Sequence, residues 1–489
     1  MKQDNEKKPK KEVSLFAAVL LFVVVCAAIA IQKGVLNGDM GSMFFMLWVV
    51  VIPFGLFHGH TSAEMEKAAI DFTCKALPAI FVLLAAGALI GAWIAAGTTP
   101  TLIYFGLKFI NPKIFLVTAM LLCSLVSLAC GTSNGTAGTA GVALIGIGNS
   151  MGIPSPITAG AIICGSYFGD KMSPMSDTTI LASSIAEVNI FKHIRHMVYD
   201  QIPGYIISLI FFLVIGLQYG GSIDSPETVA LMNGLQENFH LDLIALLPLI
   251  VTALLLILKQ SALMSILGGA VSGILVAIFY QGMGVAEGFG VFYNGFSLAT
   301  DNETLSTLLN RGGIESMWSL AGITLFGFTI AGMLDYLQVI NRIAEVVTKR
   351  IHSITALSFI TILFGFIGNA IAFSQNFAIV MTGTLMAPMY KKYNLQPMNC
   401  SRDLEAGGTY GCMFIPWNAN TVFTCGVLGV SVTGFIPYIP LLYLTPVTVL
   451  IFTLLKYKTD KIYDDVGYVD VTERLAADPE RQREISGIE

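Results

Sequence analysis

The feature that most constrains this fold is a series of apolar runs, each long enough to cross or nearly cross a lipid bilayer. The hydrocarbon core is about 30 Å thick, which about 20 helical residues span, and helices satisfy their own backbone hydrogen bonds there. The runs therefore predict an all-α protein that crosses the membrane many times. They are 14–31, 78–96, 114–130, 206–218, 243–258, 266–279, 318–334 and 438–455.

Composition agrees with lipid surroundings, because only 12% of the 489 residues are charged, against about 25% in soluble domains. Five lysines, the last of them Lys11, precede the first run, and positive charge favours the cytoplasmic side. No small-residue cleavage site is followed by a soluble chain, so a signal peptide is disfavoured. We expect a multi-pass protein of a bacterial inner membrane, with both termini cytoplasmic, an even number of crossings and no nucleic-acid partner.

Two polar interruptions divide the apolar pattern. Residues 131–141 contain four glycines and no large side chain, and residues 369–376 lie between apolar runs in the second half. Glycine lowers helix stability by about 1 kcal/mol relative to alanine. The first segment is therefore predicted to unwind or to pack very closely. Each interruption is followed by a polar, hairpin-like segment, at 167–179 and at 410–421.

The interruptions recur at a nearly constant interval. Asn134 and Asn376 are 242 positions apart, as are Pro174 and Pro416. Paired interruptions of this kind are typical of internally repeated transporters with a site near the bilayer midplane, but the interval does not distinguish inverted from parallel repeats. We predict a basic tail (1–13), a first transmembrane half (14–219), a connecting loop (220–240), a second half (241–455) and a polar tail (456–489).

These interruptions have the chemistry of a sodium site. Dehydrating Na⁺ requires several oxygen atoms, which unwound backbone and Ser, Thr and Asn side chains supply. A seam of small residues that lets helices approach closely is the alternative interpretation of the glycines. The predicted coordinating side chains are Thr132, Ser133, Asn134, Ser173, Ser176, Thr178, Thr179, Ser374, Asn376, Asn418 and Asn420.

Asp177 is the predicted central carboxylate, and Asp177, Asn134 and Ser133 are the predicted Na⁺ ligands. A carboxylate between apolar runs is costly when unpaired, so a proton and a sodium ion can compete for it, which produces exchange. Asp170 is a second candidate, unless it forms an interfacial pair with Lys171. Glu405 is a third candidate for proton or cation binding, unless it pairs with Arg402.

Other chemistry finds little support in the sequence. No P-loop or HExxH motif occurs, which disfavours an ATP-driven pump and a metalloprotease, so we expect no enzyme, no catalytic residues and no cofactor besides transported Na⁺. An ion channel remains an alternative, because it shares the polar interruptions. His193 and His196 are interpreted as part of a basic turn at the membrane edge, where His193 could also modulate the response to pH.

Several of these segments resemble NhaC-type sodium/proton antiporters of the ion-transporter superfamily. The likeness covers residues 40–455 and rests on GTSNGT at 131–136, GDKMSPMSDTT at 169–179, HIRH at 193–196, SRDLE at 401–405 and IPWN at 415–418. It implies exchange of sodium for protons, two inverted repeats with broken helices and re-entrant hairpins, a homodimer and an elevator-like motion.

The chain departs from this family pattern near the predicted site. Asn134 stands where the family commonly has Trp, Ile180 where Asn is expected, and Ala419–Asn420–Thr421 where a Cys–Gly run is usual. An indole replaced by Asn134 leaves room for an organic solute. The alternative function is therefore sodium- or proton-coupled exchange of a small organic anion, such as malate or lactate, or of an amino-acid-like solute.

Overall fold

The computed structural model is helical and describes most of the chain. The described residues are 11–34, 38, 40–109, 111–219, 226–258, 260–300, 302–339, 342–343, 346 and 351–476. Within these ranges there is no β-strand, only two isolated bridges. The predicted all-α class is confirmed. Most of the predicted basic tail, and the end of the polar tail beyond residue 476, lie outside the described residues.

The first half of the chain ends in the longest of the described helices, α12. Its helices are α1 (Leu15–Gly34), α2 (Met40–Met46), α3 (Trp48–Phe57), α4 (Ser62–Cys74), α5 (Leu77–Ala95), α6 (Thr98–Phe109), α7 (Pro112–Cys130), α8 (Ser133–Thr136), α9 (Val142–Ser150), α10 (Ser155–Met172), α11 (Asp177–Ile185) and α12 (Ile190–Gly216). A π-helical turn, Ala137–Gly141, joins α8 to α9.

The second half begins with a helix inside the segment that was predicted to be a connecting loop. The helices are α13 (Pro226–Asn238), α14 (Leu247–Ile257), α15 (Ala262–Phe279), α16 (Val285–Asn294), α17 (Glu303–Leu309), α18 (Trp318–Tyr336), α19 (Ile354–Ala372), α20 (Gln375–Lys392), α21 (Pro397–Leu404), α22 (Ala419–Leu428), α23 (Val432–Phe435), α24 (Pro440–Leu454) and α25 (Thr472–Ala476). A π-helical turn, Glu405–Thr409, extends α21.

Seven helical segments among the described residues are long and apolar enough to cross a membrane, and an eighth is counted if one bent pair forms a span. The bent pair joins Ala419–Leu428 to Val432–Tyr438 at 84°. This confirms the prediction of a multi-pass membrane protein. The seven segments are Met40–Phe57, Leu77–Ala95, Pro112–Cys130, Ile190–Gly216, Ala262–Phe279, Glu315–Tyr336 and Ile354–Ala372.

The beginning of the carboxy-terminal tail folds back onto the membrane domain. We call residues 457–468 the strap. Asn394 donates from its side-chain nitrogen to the carbonyl of Tyr463 at 2.9 Å, and the Gln396 backbone N–H donates to the Asp460 carbonyl at 3.0 Å. The strap therefore covers the start of α21.

Close backbone packing at Gly87 allows us to predict how a substitution there changes the stability of the protein. Gly87, in α5, accepts a hydrogen bond from the Gly313 N–H at 2.7 Å, and a Cβ at Gly87 would lie 2.4 Å from the Gly313 carbonyl oxygen. We expect Gly87→Ala to destabilise the protein by about 1–3 kcal/mol, measured as a lower unfolding temperature in detergent.

Gly322 is the matched control, because it also lies in an apolar helix, α18. A Cβ built at Gly322 meets no atom within 4 Å. Gly322→Ala should therefore be neutral or stabilising by up to about 1 kcal/mol, since alanine is the better helix former. Equal unfolding temperatures for the two variants would contradict the close contact at Gly87.

Candidate functional site between the two helix breaks

The first helix break lies between α7 and α8. Helix α7 ends at Gly131, whose φ of 66° is left-handed, and Thr132 then caps α8 by accepting a hydrogen bond from the Gly135 N–H at 3.2 Å. The unwinding predicted for the whole glycine-rich segment is confined to Gly131 and Thr132. Beyond them the chain is helical, with the π-helical turn that such sites often contain.

The second break is built in the same way, from a left-handed residue followed by a hydroxyl cap. Helix α19 ends at Ala372, Phe373 takes a left-handed φ of 60°, and Ser374 caps α20 by accepting from the Phe377 N–H. A bulky residue rarely adopts this conformation. The buried Phe373 ring is held edge-on against Phe44, with 4.9 Å between the ring centroids. Tertiary packing therefore supports the strained backbone at this break.

Each half also contains a short helix that starts with a polar cap beside the break of the other half. Ser176 caps α11 by accepting from the Thr179 N–H at 3.4 Å. Asn418 caps α22 by accepting from the Asn420 N–H at 3.1 Å. These caps place the side chains of Asp177 and Asn420 in the first turns of their helices.

The two halves are joined by reciprocal hydrogen bonds. Asn134 of the first break donates to the Asn420 side-chain oxygen at 2.8 Å. Asn376 of the second break donates to the Asp177 carboxylate at 3.0 Å. Asn134 and Asn376 are 242 positions apart, and Asp177 and Asn420 are 243 apart. Each bond therefore joins the break residue of one half to the first-turn residue at the corresponding position of the other half. Such reciprocity is the pattern that two-fold related contacts produce.

A cavity of about 530 Å³ opens between the breaks, within the range of small-molecule sites. Asp177 is exposed to it, whereas Asp170 is 1% exposed and its Oδ1 has no hydrogen-bond partner among the described residues. Two carboxyl groups make the lining favourable for cations, and the Lys75 ammonium adds one positive charge to it. The predicted site residues in the lining are Thr132, Ser133, Asn134, Asp170, Asp177, Ser374, Asn376 and Asn420.

The other six predicted site residues are not among the cavity-lining residues. Asn418 donates to the side-chain oxygen of Asn369 at 2.9 Å, which ties the cap of α22 to α19. Glu405 is fully buried and accepts from the Thr409 hydroxyl at 2.5 Å. The remaining four build the first hairpin and are buried; they are Ser173, Ser176, Thr178 and Thr179.

One alternative pairing considered from the sequence is wrong, and the interfacial location expected for the other is wrong. Arg402 donates to Asp403 at 2.8 Å and not to Glu405, because adjacent residues of α21 bring the two charges together. Asp170 and Lys171 are buried rather than interfacial, with exposures of 1% and 0%.

The predicted histidine turn is also absent. His193 and His196 lie inside α12 and are 0% and 5% exposed. The polar spacing of His193, His196 and Asp200 within an apolar helix is a signal that could have indicated a buried polar face.

Sequence reasoning missed three polar side chains in the cavity lining, which are Lys75, Thr324 and Gln375. Lys75 follows the end of α4 with its ammonium 4.8 Å from the centre of the Phe72 ring, and Gln375 is the first residue of α20. Gln375 lies inside the predicted interruption 369–376, between Ser374 and Asn376, but it was not chosen as a site residue. The α4 segment resembled an interfacial helix. The described residues contain no group of three His, Cys, Asp or Glu side chains suited to a metal ion, so a cation would rely on neutral oxygens beside a carboxylate.

Membrane-spanning helices that break in pairs around a cavity with two carboxyl groups define a secondary transporter. The chain belongs to the Na⁺/H⁺ antiporter family, whose sequence profile matches residues 165–456. This confirms the resemblance to NhaC-type proteins.

The chain aligns with individual relatives over most of their length, and these relatives carry different names. The chain is 37% identical to the malate-2H⁺/Na⁺-lactate antiporter of Bacillus subtilis, over 87% of this chain and 91% of the relative. It is 33% identical to the Na⁺/H⁺ antiporter NhaC of Alkalihalophilus pseudofirmus, over 91% and 96%. It is 37% identical to the arginine/ornithine antiporter ArcD of Halobacterium salinarum, over 82% and 83%.

Proposed function

We propose that this protein exchanges sodium ions for protons across the bacterial inner membrane, with both termini in the cytoplasm. The observation that carries the proposal is the position of Asp177. It lines the cavity between the two breaks and accepts a hydrogen bond from Asn376 of the opposite half. Membership of the Na⁺/H⁺ antiporter family supports the same exchange.

The cavity supplies what a dehydrated sodium ion needs. Asp177 provides a negative oxygen, and Asn134 and Ser133 provide neutral oxygens in the same lining. Asn134 Oδ1 has no hydrogen-bond partner among the described residues, so it is available to a ligand. A carboxyl group in these surroundings can be neutralised by a proton or by sodium. Two ions that compete for one site are exchanged for each other.

Transport by the purified protein in proteoliposomes tests this function. An inward sodium gradient should drive protons out, which a pH-sensitive dye inside the vesicles reports, and potassium should replace sodium poorly. Conductance without counter-transport would favour a channel. Absence of sodium-dependent proton movement at every pH tested would refute sodium/proton exchange.

A second candidate function is coupled exchange of a small organic anion or amino-acid-like solute. The specific observation is the cavity, which is large for a sodium ion alone and is lined by Lys75 besides its carboxyl groups. The names of the relatives from Bacillus subtilis and Halobacterium salinarum support this class of solute. Thermal unfolding with sodium plus malate, lactate, arginine or ornithine discriminates, because only a bound solute raises the unfolding temperature beyond sodium alone.

The remaining architecture is part of the proposal. The reciprocal pairs Asn134–Asn420 and Asn376–Asp177 support a two-fold relation between the halves, and we propose that the repeats are inverted. A homodimer with a moving transport domain is the assembly that the family resemblance implies. Cysteine accessibility from each side of the membrane tests the inversion, and light scattering in detergent tests the dimer.

A further inference from the structure

A buried group of charges lies beyond the cavity wall. We call Lys171, Asp200 and Glu405 the interior cluster; they are 0%, 1% and 0% exposed. Lys171 Nζ, Asp200 Oδ1 and Glu405 Oε1 each lack a hydrogen-bond partner among the described residues. The Lys171 ammonium interacts electrostatically with both carboxyl groups and with Asp170 on the cavity side, and it lies 3.9 Å from the centre of the Tyr410 ring.

The charges of the interior cluster do not balance when every group is ionised. One ammonium faces two carboxylates, and a net buried charge costs several kcal/mol. The neighbouring Arg402–Asp403 pair is neutral as a unit, with its charges 2.8 Å apart and the Tyr390 hydroxyl donating to the same carboxylate at 2.6 Å. Arg402 attracts the Asp200 carboxylate and Asp403 repels it. The cluster is neutral when one proton is shared between Asp200 and Glu405.

A row of polar side chains leads from this cluster to the strap. His193, His196 and Asp200 have the spacing i, i+3 and i+7 on α12, so they share one face over about 10 Å of rise. His193 Nδ1 lies 2.7 Å from the Ser401 hydroxyl. His196 Nδ1 lies 3.7 Å from the Asp460 carboxylate of the strap, which is 46% exposed. His196, the middle residue of the three, therefore connects the row to a solvent-accessible group.

The row also has free hydrogen-bonding capacity. His193 Nε2 and His196 Nε2 have no partner among the described residues, and buried polar atoms of this kind are usually satisfied by internal water. Lys171 faces His193, and Arg402 and Lys458 face His196. A neutral imidazole can accept a proton at one nitrogen and donate one at the other.

We propose that Asp200 and Glu405, balanced by Lys171, hold a proton inside the protein, and that His193 and His196 conduct protons between them and the strap face. Protons that compete with sodium at the cavity carboxylates reach them from the strap face through this row. A proton that passes from the cluster to Asp170 on the cavity side is replaced by one from the solution at Asp460, so that the cluster stays neutral. The inference rests on the proposed sodium/proton exchange and adds the proton route to it.

The test separates proton movement from sodium movement. In proteoliposomes, Asp200→Asn should slow sodium/proton exchange by about tenfold or more, while sodium self-exchange, which moves no proton, keeps the wild-type rate. Asp242→Asn is the control, because Asp242 lies outside the cluster and accepts from Tyr280 and nearby backbone N–H groups. It should leave both rates unchanged.

His196→Gln provides a second variant, at the residue of the row that contacts the strap, with His240→Gln as its control. The same split between the two exchange rates is expected for His196→Gln. Equal loss of both rates in folded protein, or no loss in either variant, overturns the inference. If the wild-type protein moves no protons, both the proposed function and this inference are refuted. If the wild-type protein exchanges ions and the variants are unaffected, only the inference is refuted.

Discussion

Asp177→Asn is expected to weaken sodium binding by about ten- to a hundredfold and to abolish coupled proton movement. Asparagine keeps the shape of the side chain and an oxygen that can accept from Asn376, but it carries no charge. A charged hydrogen-bonding partner is worth about 1.5–3 kcal/mol, which corresponds to that loss of affinity. The measurements are the sodium dependence of thermal unfolding and sodium-driven proton flux in proteoliposomes.

Asp71→Asn is the control for this substitution. Asp71 forms an exposed ion pair with Lys67 on α4 at 2.6 Å, and pairs of that kind contribute little. It should not change sodium affinity. Wild-type sodium binding by the Asp177→Asn protein would contradict the role of Asp177 and would transfer the cation-binding role to Asp170, the other carboxyl group in the lining.

Arg402→Met is expected to destabilise the protein by about 3–5 kcal/mol, because it leaves the buried Asp403 carboxylate without its ion-pair partner. Arg402 is 2% exposed and Asp403 is 0% exposed. The guanidinium also donates to the Lys458 carbonyl at 3.1 Å and to the Thr453 hydroxyl at 3.2 Å. Its removal therefore loosens the strap as well. Thermal unfolding in detergent measures the change.

The double variant Arg402→Met, Asp403→Asn shows whether the stranded charge is the cause. It should be more stable than Arg402→Met alone, since no unpaired carboxylate remains. Lys391→Met is the surface comparison, because its ion pair with Glu187 is largely exposed, and it should cost less than about 1 kcal/mol. An Arg402→Met protein as stable as Lys391→Met would contradict the importance of the buried pair.

Much of the candidate site could be predicted because its chemistry is local in sequence. Glycine at 131 ends a helix in the left-handed conformation, and a serine or threonine that follows a break caps the next helix. Both rules operate over a few residues. The interval between Asn134 and Asn376 then indicated which interruptions are equivalent, and the structure places both side chains on the same cavity.

The partners of those residues could not be predicted in the same way. Nothing local distinguishes Asn420 from Asn418, yet Asn420 bonds to Asn134 and lines the cavity while Asn418 bonds to Asn369. Asp200 lies in an apolar helix far along the chain from Lys171 and Glu405. A sequence pattern indicates that a buried charge needs compensation, but it does not indicate which charge compensates it.

The sequence by itself determined that this protein is a helical membrane transporter with two interrupted halves, because hydrophobic length, glycine and helix caps act over one or two helical turns. Only the tertiary structure decided that each break contacts the polar cap of the other half, that Arg402 pairs with Asp403, and that Lys75 reaches the cavity. The physical reason is that burial and charge pairing depend on distances between helices, which hydrophobic periodicity leaves open.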